Sequence, residues 1–202
     1  MRLFPIALDL NGRRALVLGA EGEAPLAVER LLSAGARVSV VTPGPVEASI
    51  ERASREGLIE LHRRSFVDDD LAGAAIVFLA PGDDALSQRL HRELTDVGRL
   101  VCTLDRPEVS NFANPSVVAA SGLTMSFSSH GVSPGTLRRI REDLSALFAD
   151  PRFARYIAAL RRLRESLPRG PERAARMRQA TVGFGIEARL RFPAWLERGD
   201  EP

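Results

Sequence analysis

The chain has 202 residues, of which 45% are hydrophobic and 27% are charged. This composition is typical of a globular protein and excludes a disordered chain, a collagen-like fibre and a membrane bundle. The 28 basic and 26 acidic residues leave a net charge of +2, and every basic residue is an arginine. A balance this close predicts no nucleic-acid partner.

The single cysteine, Cys102, has no partner for a disulfide within the chain. The apolar run at residues 1–8 is too short for a signal peptide, and no stretch approaches the roughly 20 apolar residues of a membrane span. We therefore expect a cytoplasmic protein that does not enter the membrane.

Strand-like and helix-like segments alternate along the first half of the chain. The predicted strands are residues 15–18, 38–41, 58–63, 76–80 and 100–104. The predicted helices are one that begins near Ala24, one over residues 46–56 and one over residues 84–97. This alternation is typical of an α/β fold with a Rossmann-like parallel sheet.

After Asp105 the pattern changes to two short strands, residues 116–119 and 123–128, and a helix that begins at Pro134 with Ser133 as its cap. The last 50 residues are arginine-rich and read as helical. We predict a Rossmann-like domain over residues 1–112, a small β-plus-helix segment over residues 113–150 and a helical tail over residues 151–202.

Two isolated strands need another apolar surface. Their apolar residues are Val117, Val118, Leu123, Met125 and Phe127. The helix after Ser133 presents Leu137, Ile140, Leu144 and Leu147 at helical spacing and can cover one side of the strands. A symmetric dimer would cover the other side, which makes residues 113–150 a predicted dimerisation segment. The alternative is a monomer covered by Ile157, Leu160 and Leu163 of its own tail.

A glycine turn follows the first predicted strand and reads Gly19-Ala20-Glu21-Gly22-Glu23-Ala24. Such a turn brings a dinucleotide pyrophosphate to backbone N–H groups at a helix amino terminus. Glu21 stands where a second glycine is usual, and a shift of the turn would let Gly22 replace it. Thr42 stands where an acid usually holds the ribose. A turn that only packs the helix on the strand explains the pattern equally well.

Carboxylates follow two neighbouring strands of the predicted sheet. Asp83 and Asp84 follow the fourth strand and Asp105 follows the fifth, so all three are expected at the same crevice. Asp105 is the stronger candidate for a functional residue, although an aspartate before Arg106-Pro107 is also a common turn former.

A second polar cluster reads Ser128-Ser129-His130-Gly131-Val132-Ser133-Pro134. One hypothesis is an anion site at a helix start, supported by Arg138 and Arg139. The other is a strand-to-helix loop with a cap.

These motifs together resemble the precorrin-2 dehydrogenase and sirohydrochlorin ferrochelatase family, which also forms the amino-terminal module of siroheme synthase. The resemblance covers about residues 3–150. It is carried by Leu3-Phe4-Pro5-Ile6, the Ala15–Gly19 turn, Leu31–Val38, Ala80–Asp84 with Gln88-Arg89, Cys102–Asp105, Asn111-Phe112, Asn114-Pro115-Ser116 and Ser128–Pro134.

The resemblance implies NAD-dependent conversion of precorrin-2 to sirohydrochlorin by a homodimer, with insertion of Fe²⁺ in many members. Two alternatives remain open: an NAD-independent metal chelatase, and a non-enzymatic tetrapyrrole-binding protein on a decayed nucleotide fold. No resident metal site is expected.

The resemblance also assigns roles to individual residues. Asp105 matches a general base or metal-site residue, and Ser129 matches a serine at the tetrapyrrole cavity. The predicted cofactor contacts are Gly19, Gly22, Glu23, Pro43 and Gly44. The predicted substrate contacts are Asn111, Ser116, Ser128, Ser129 and His130.

Overall fold

The computed structural model describes residues 4–80, 82–129 and 132–199, apart from the side chain of Trp195. The chain divides into two compact units, residues 1–115 and residues 116–202. In the part of the chain that is described, no helix is long and apolar enough to span a bilayer.

The first unit is built on one five-stranded parallel sheet. Its strands are β1 (Arg14–Leu18), β2 (Arg37–Val41), β3 (Ile59–His62), β4 (Ala74–Leu79) and β5 (Leu100–Thr103). They lie in the order β3-β2-β1-β4-β5, and every pairing is parallel. This is the strand order of a Rossmann fold, so the predicted fold class is confirmed.

Helices cover both faces of this sheet, which explains why its central strands are almost wholly apolar. Helices α1 (Ala24–Ser33) and α2 (Ala48–Arg55) contribute Val28 and Ile50 to one core, together with Val17 of β1. Helix α3 (Asp84–Asp96) contributes Leu90 to the core on the other face, together with Leu16. The carboxyl ends of the strands are left at one edge, where ligands bind in such sheets.

The second unit begins with an antiparallel hairpin of β6 (Ser116–Ala120) and β7 (Leu123–Phe127), followed by α4 (Pro134–Phe148). Val118 pairs with Met125 and Ala120 pairs with Leu123, so these residues share a face. Val117 pairs with Ser126 on the opposite face, so the prediction that all five apolar residues act together is wrong for Val117.

Helix α4 packs against β6 with a narrower stripe than its spacing predicted. Leu137 and Leu144 are half-buried and Phe148 is buried, but Ile140 and Leu147 remain 39% and 41% exposed. Ile140 and Leu147 each follow a half-buried leucine by three residues, so the helix turns them away from the hairpin. The four apolar residues predicted to share one face of α4 therefore divide into a covered pair and an exposed pair.

The chain continues with α5 (Pro151–Ser166), α6 (Pro171–Ala180) and the short α7 (Ala194–Arg198). The stretch between α6 and α7 is not helical, so the expectation of a helical tail is wrong there. Gly183 adopts a positive φ of 82°, and Gly185 and Pro193 are poor helix formers. Phe184 from this stretch stacks on Tyr156 of α5 at 4.8 Å between ring centroids.

Candidate functional site: a glycine-lined pocket at the sheet edge

The glycine turn after β1 has two positions that require glycine for different reasons. Gly19 has a φ of 96°, and a Cβ placed on it would lie 2.5 Å from the Cβ of Ala80. Gly22 has a φ of 62°, and no atom lies within 4 Å of a Cβ placed there. Packing against β4 therefore demands glycine at residue 19, whereas at residue 22 only the backbone conformation favours it.

The turn opens onto a pocket of about 700 Å³ at the carboxyl ends of the central strands. Gly19, Gly22, Pro43 and Gly44, all predicted to contact the cofactor, line this pocket together. Glu23 is not among the lining residues and instead stands at the amino terminus of α1. No side chain within the described residues caps that helix end. The N–H of Ala24 donates to the carbonyl of Glu21 at 3.1 Å, and Pro25 has no N–H, so the turn closes on the first residues of the helix.

Hydrogen bonds tie the loop after β2 to itself and to the glycine turn. The Oγ1 of Thr42 accepts the N–H of Gly44 at 3.1 Å, and the N–H of Glu47 donates to the carbonyl of Ala20 at 3.1 Å. Thr42 is buried, so its hydroxyl shapes the turn where an acid usually holds a ribose. The pocket is therefore built before any ligand enters.

Sequence reasoning missed the far wall of the pocket. This wall is formed by Ser65, Phe66, Leu86, Ser87 and Arg89. The guanidinium of Arg89 lies 5.8 Å from the ring centroid of Phe66 and pairs with Asp68 at 2.9 Å and Glu93 at 3.3 Å. These carboxylates raise the pKa of Arg89. Phe66 lies in an irregular loop after β3, where no periodicity could have placed it at the pocket.

Asp105 follows β5 in an uncommon backbone conformation. Its φ is 60°, in the left-handed region that few residues other than glycine adopt, and its side chain is exposed. The residues around it are fixed: the N–H of Arg106 donates to the carbonyl of Thr103, and the Oγ of Ser110 donates to the carbonyl of Arg106 at 2.8 Å. A tight, bonded turn thus holds the Asp105 carboxylate out from the sheet edge.

The two aspartates after β4 make local bonds at the sheet edge, and Asp83 also lines the pocket. Asp83 caps α3, since its Oδ1 accepts the N–H of Leu86 at 2.8 Å. Asp84 pairs with Arg106 at 2.6 Å. Arg106 also binds Glu108, and these contacts raise the pKa of Arg106 and lower that of Glu108. Both aspartates serve local structure.

The side chain of Asn111 is occupied by the protein itself. Its Oδ1 accepts the N–H of Val101 at 2.9 Å, and its amide nitrogen donates to the carbonyl of Arg99 at 2.7 Å and to Thr95 at 3.1 Å. Both amide hydrogens are therefore used. The geometry makes Asn111 a clamp on the edge of β5 and does not favour the predicted substrate contact.

Three other predicted substrate residues lie in the second unit, and His130 lies outside the described residues. Ser116 begins β6, and Ser128 and Ser129 follow β7. The Oγ of Ser129 accepts the N–H of Ser133 at 3.1 Å, and the Oγ of Ser133 caps α4 by accepting the N–H of Thr136. These bonds match the loop-with-cap hypothesis.

Arg138 and Arg139 do not support an anion site beside these serines. Each pairs one turn along α4, Arg138 with Glu142 at 3.1 Å and Arg139 with Asp143 at 3.3 Å. Their charges are compensated within the helix, which favours the loop-with-cap hypothesis over the anion site.

The thiol of Cys102 lies buried in the sheet. Burial raises the pKa of Cys102 to about 11, although a hydrogen bond to Ser110 acts in the opposite direction. Among the described residues, no group of three or more His, Cys, Asp or Glu side chains could hold a metal ion.

Comparisons with known proteins agree with this geometry. A family model described as "Putative NAD(P)-binding" matches residues 6–116, which contain the whole sheet, the glycine turn and Asp105. The chain belongs to this NAD(P)-binding family.

Its relatives carry names from the siroheme pathway. It is 33% identical to a siroheme synthase of Pseudoalteromonas atlantica over 73% of this chain and 32% of that protein. It is 36% identical to one of Ectopseudomonas mendocina over 70% of this chain and 30% of that protein. The chain thus spans about a third of the length of these curated relatives.

Among solved structures, the precorrin-2 dehydrogenase SirC matches with a TM-score of 0.72 and 25% identity, over 89% of both chains. Together these findings confirm the family resemblance that the sequence motifs predicted.

Proposed function

We propose that this protein is a precorrin-2 dehydrogenase that takes one hydride and one proton from its substrate and yields sirohydrochlorin. The observation that carries the proposal is a pre-built glycine-turn pocket in a chain that matches SirC along nearly its whole length.

The residues of the pocket fit a nicotinamide dinucleotide. Gly22 leaves open space in the glycine turn that precedes α1, where a pyrophosphate can approach the backbone N–H groups of the turn. Pro43 and Gly44 would face the adenosine side, as in other sheets of this order. When bound, the nicotinamide supplies the hydride acceptor.

Charge around the pocket favours NAD over NADP. The lining contains the carboxylates of Glu21 and Asp83 and one cation, Arg89, which already pairs with Asp68 and Glu93. Among the lining residues, the loop after β2 contributes Thr42, Pro43 and Gly44 and no arginine to receive a 2′-phosphate.

Asp105 is the residue that would accept the substrate proton. Among the described residues no donor binds its carboxylate, while its neighbour Arg106 is held by Asp84 and Glu108. An exposed carboxylate on a hydrogen-bonded turn at the sheet edge suits a general base.

The assembly we propose is a homodimer. The β6–β7 hairpin is only two strands wide, and α4 packs on β6 while Ile140 and Leu147 stay exposed beside it. A second copy would cover these side chains and complete the tetrapyrrole cavity to which Ser116, Ser128, Ser129 and His130 are assigned.

Insertion of Fe²⁺ is a second candidate activity at the same site. Metal insertion requires removal of pyrrole protons, and the exposed Asp105 carboxylate is equally suited to accept them. Iron is here a substrate of the protein.

Anaerobic incubation with precorrin-2 and NAD⁺ tests the proposal, with absorbance following both NADH and the product. Formation of NADH and sirohydrochlorin together is the expected result. Siroheme formed from sirohydrochlorin and Fe²⁺ without NAD⁺, in the absence of any dehydrogenation, would instead identify a chelatase. A protein that binds the tetrapyrrole without either reaction would be a binding protein.

A further inference from the structure

A second cavity lies within the second unit, where the end of α4 and the start of α5 meet the stretch between α6 and α7. Its volume is about 370 Å³, and its lining includes four aromatic rings, those of Phe148, Phe153, Tyr156 and Phe184. Phe148 meets Phe153 edge-to-face at 4.8 Å between ring centroids, and Tyr156 stacks on Phe184 at the same distance. Aromatic walls of this kind receive flat apolar groups. The proposed dehydrogenation assigns no role to this cavity.

The hydroxyl of Tyr156 is the unusual feature of the cavity. It is shielded from solvent, and among the described residues no group forms a hydrogen bond with it. A buried hydroxyl without a partner destabilises a fold, so phenylalanine would serve packing better at this position. Residue 156 therefore carries a polar group that a bound molecule can use and that the fold of the described chain does not.

Phe184 forms the wall of the cavity that is least firmly held. It belongs to the non-helical stretch between α6 and α7, and its side chain is 51% exposed. Gly183 and Gly185 stand on either side of it, and Gly183 has a φ of 82°. Because the ring of Phe184 stacks on that of Tyr156, displacement of Phe184 would uncover Tyr156 for a bound molecule.

The charged groups of the cavity favour a cation over an anion. Asp150 occupies the guanidinium of Arg152, whose Nε and Nη2 lie 2.9 and 2.6 Å from the Oδ2 of Asp150. These contacts lower the pKa of Asp150 to about 2, so the pair stays ionised at neutral pH. Glu187 also lines the cavity, and it makes no ion pair with any residue that the structure describes. Its carboxylate is left for a positive group, which the faces of the rings also attract.

We propose that this cavity binds a small aromatic amine, whose ring lies among Phe148, Phe153 and Tyr156 and whose ammonium group pairs with Glu187. A polar group on the ring would form the missing hydrogen bond with the Tyr156 hydroxyl. A single ring with a short amine chain suits a cavity near the lower end of the range found for ligand sites. The proposal is independent of the dehydrogenase function, because no residue of the glycine-lined pocket takes part in it.

Four small probes test the proposal by calorimetric titration of the full chain. Tyramine has the ring, a phenol hydroxyl and the ammonium group, whereas phenethylamine lacks the hydroxyl and tyrosol lacks the charge. 4-Hydroxyphenylacetate carries a carboxylate in place of the ammonium group. Tyramine should bind with a Kd of about 1 mM or below, and phenethylamine and tyrosol about fivefold more weakly. Equal affinity for tyramine and 4-hydroxyphenylacetate, or no binding of tyramine at ten times that concentration, would overturn the proposal.

Tyr156→Phe provides two readouts with opposite signs. It removes the unpaired hydroxyl, so the Tm of the ligand-free chain should rise by about 2 °C. Its affinity for tyramine should fall about fivefold, while its affinity for phenethylamine should not change. Glu187→Gln should weaken the binding of tyramine and leave that of tyrosol unchanged. The matched control is Glu172→Gln, which removes an exposed carboxylate of α6 and should bind tyramine as the native chain does.

Three results with these variants would overturn the proposal. A Tyr156→Phe chain that is less stable and binds tyramine normally would show that the hydroxyl serves the fold. Unchanged tyramine binding in Glu187→Gln would exclude the ammonium contact. Conversion of a dimer to a monomer by Tyr156→Phe, seen by sedimentation, would show that a second copy of the chain supplies the partner of the hydroxyl.

Discussion

Arg106 reaches back from the turn after β5 to place its Nη1 2.6 Å from the Oδ1 of Asp84 at the start of α3. This pair fixes the residue next to Asp105 to the loop that follows β4. Among the described residues, no cation pairs with the Asp105 carboxylate, although an arginine is adjacent in sequence. The pair with Asp84 and the hydrogen bonds of the turn fix the backbone that carries this carboxylate.

Replacing Asp105 tests its proposed role. Asp105→Ala should lower kcat for precorrin-2 by about a hundredfold or more, as expected for the loss of a general base. The control is Asp96→Ala, which removes an exposed carboxylate at the end of α3. Steady-state assays at saturating NAD⁺ provide the measurement, with circular dichroism to check folding. Near-native turnover in Asp105→Ala would show that another residue is the general base.

Glu21 is the residue expected to weaken cofactor binding. Its carboxylate lines the pocket where a pyrophosphate would approach, so like charges oppose binding. Glu21→Gly should tighten NAD⁺ about tenfold, or ~1.4 kcal/mol, by calorimetry. Glu21→Gln keeps the size of the side chain and removes its charge, so it separates the effect of the charge from the effect of the space that the side chain fills. Weaker binding in Glu21→Gly would mean that the carboxylate contacts the cofactor favourably.

Asp70 should make stability depend on acid pH. Its carboxylate receives two hydrogen bonds from Arg64, at 2.6 and 2.8 Å, and one from the N–H of Val67 at 3.0 Å. The Arg64 contact lowers the pKa of Asp70 from 3.8 to about 2. The stabilisation is therefore complete above pH 4 and is lost as the pH falls through 2.

Asp70→Asn should lower the free energy of unfolding by about 1 kcal/mol at pH 7, a modest value because Arg64 is partly exposed to solvent. The difference from the native chain should disappear near pH 2. Urea denaturation across this range measures it, with the exposed neighbour Asp69→Asn as control. A difference that stays constant with pH would exclude the ion pair as its cause.

Cys102 should be chemically inert while the protein is folded. Its side chain is buried, and the raised pKa of about 11 leaves almost no thiolate at pH 8. Iodoacetamide should label it quickly in urea and very slowly in buffer, as followed by mass spectrometry. Rapid labelling of the folded protein would show that β5 opens readily.

The exposed part of α4 provides the test of assembly. Sedimentation at micromolar concentration should give a species of twice the chain mass of 22.0 kDa. Ile140→Glu with Leu147→Glu should convert it to the monomer, because both side chains would otherwise be covered by the second copy. Leu190→Glu, at a position 84% exposed in the tail, should not. If the native chain sediments as a monomer, both the proposed dimer and the cavity shared between its subunits are excluded.

The sequence predicted the fold better than it predicted the site, for a physical reason. Strands and helices of the sheet follow from periodic burial, which is local, so β1 to β5 and the cap at Ser133 were expected correctly. The ion pairs of Asp84 and Arg138 depend on which side chains the fold brings together and on their rotamers. A local sequence pattern specifies neither. The division of the second unit into residues 113–150 and 151–202 stays a prediction.

Replacing Gly19 and replacing Gly22 by another residue would have different effects on packing. Since Ala80 occupies the space beside Gly19, any other residue there would push β4 away, whether or not the protein ever meets a dinucleotide. Gly22 faces open space, so the sheet does not need it for packing. A related chain that bound no coenzyme would therefore still need the first glycine for packing, whereas only the positive φ would favour the second, which makes residue 22 the position to inspect when related chains are sorted into binders and non-binders.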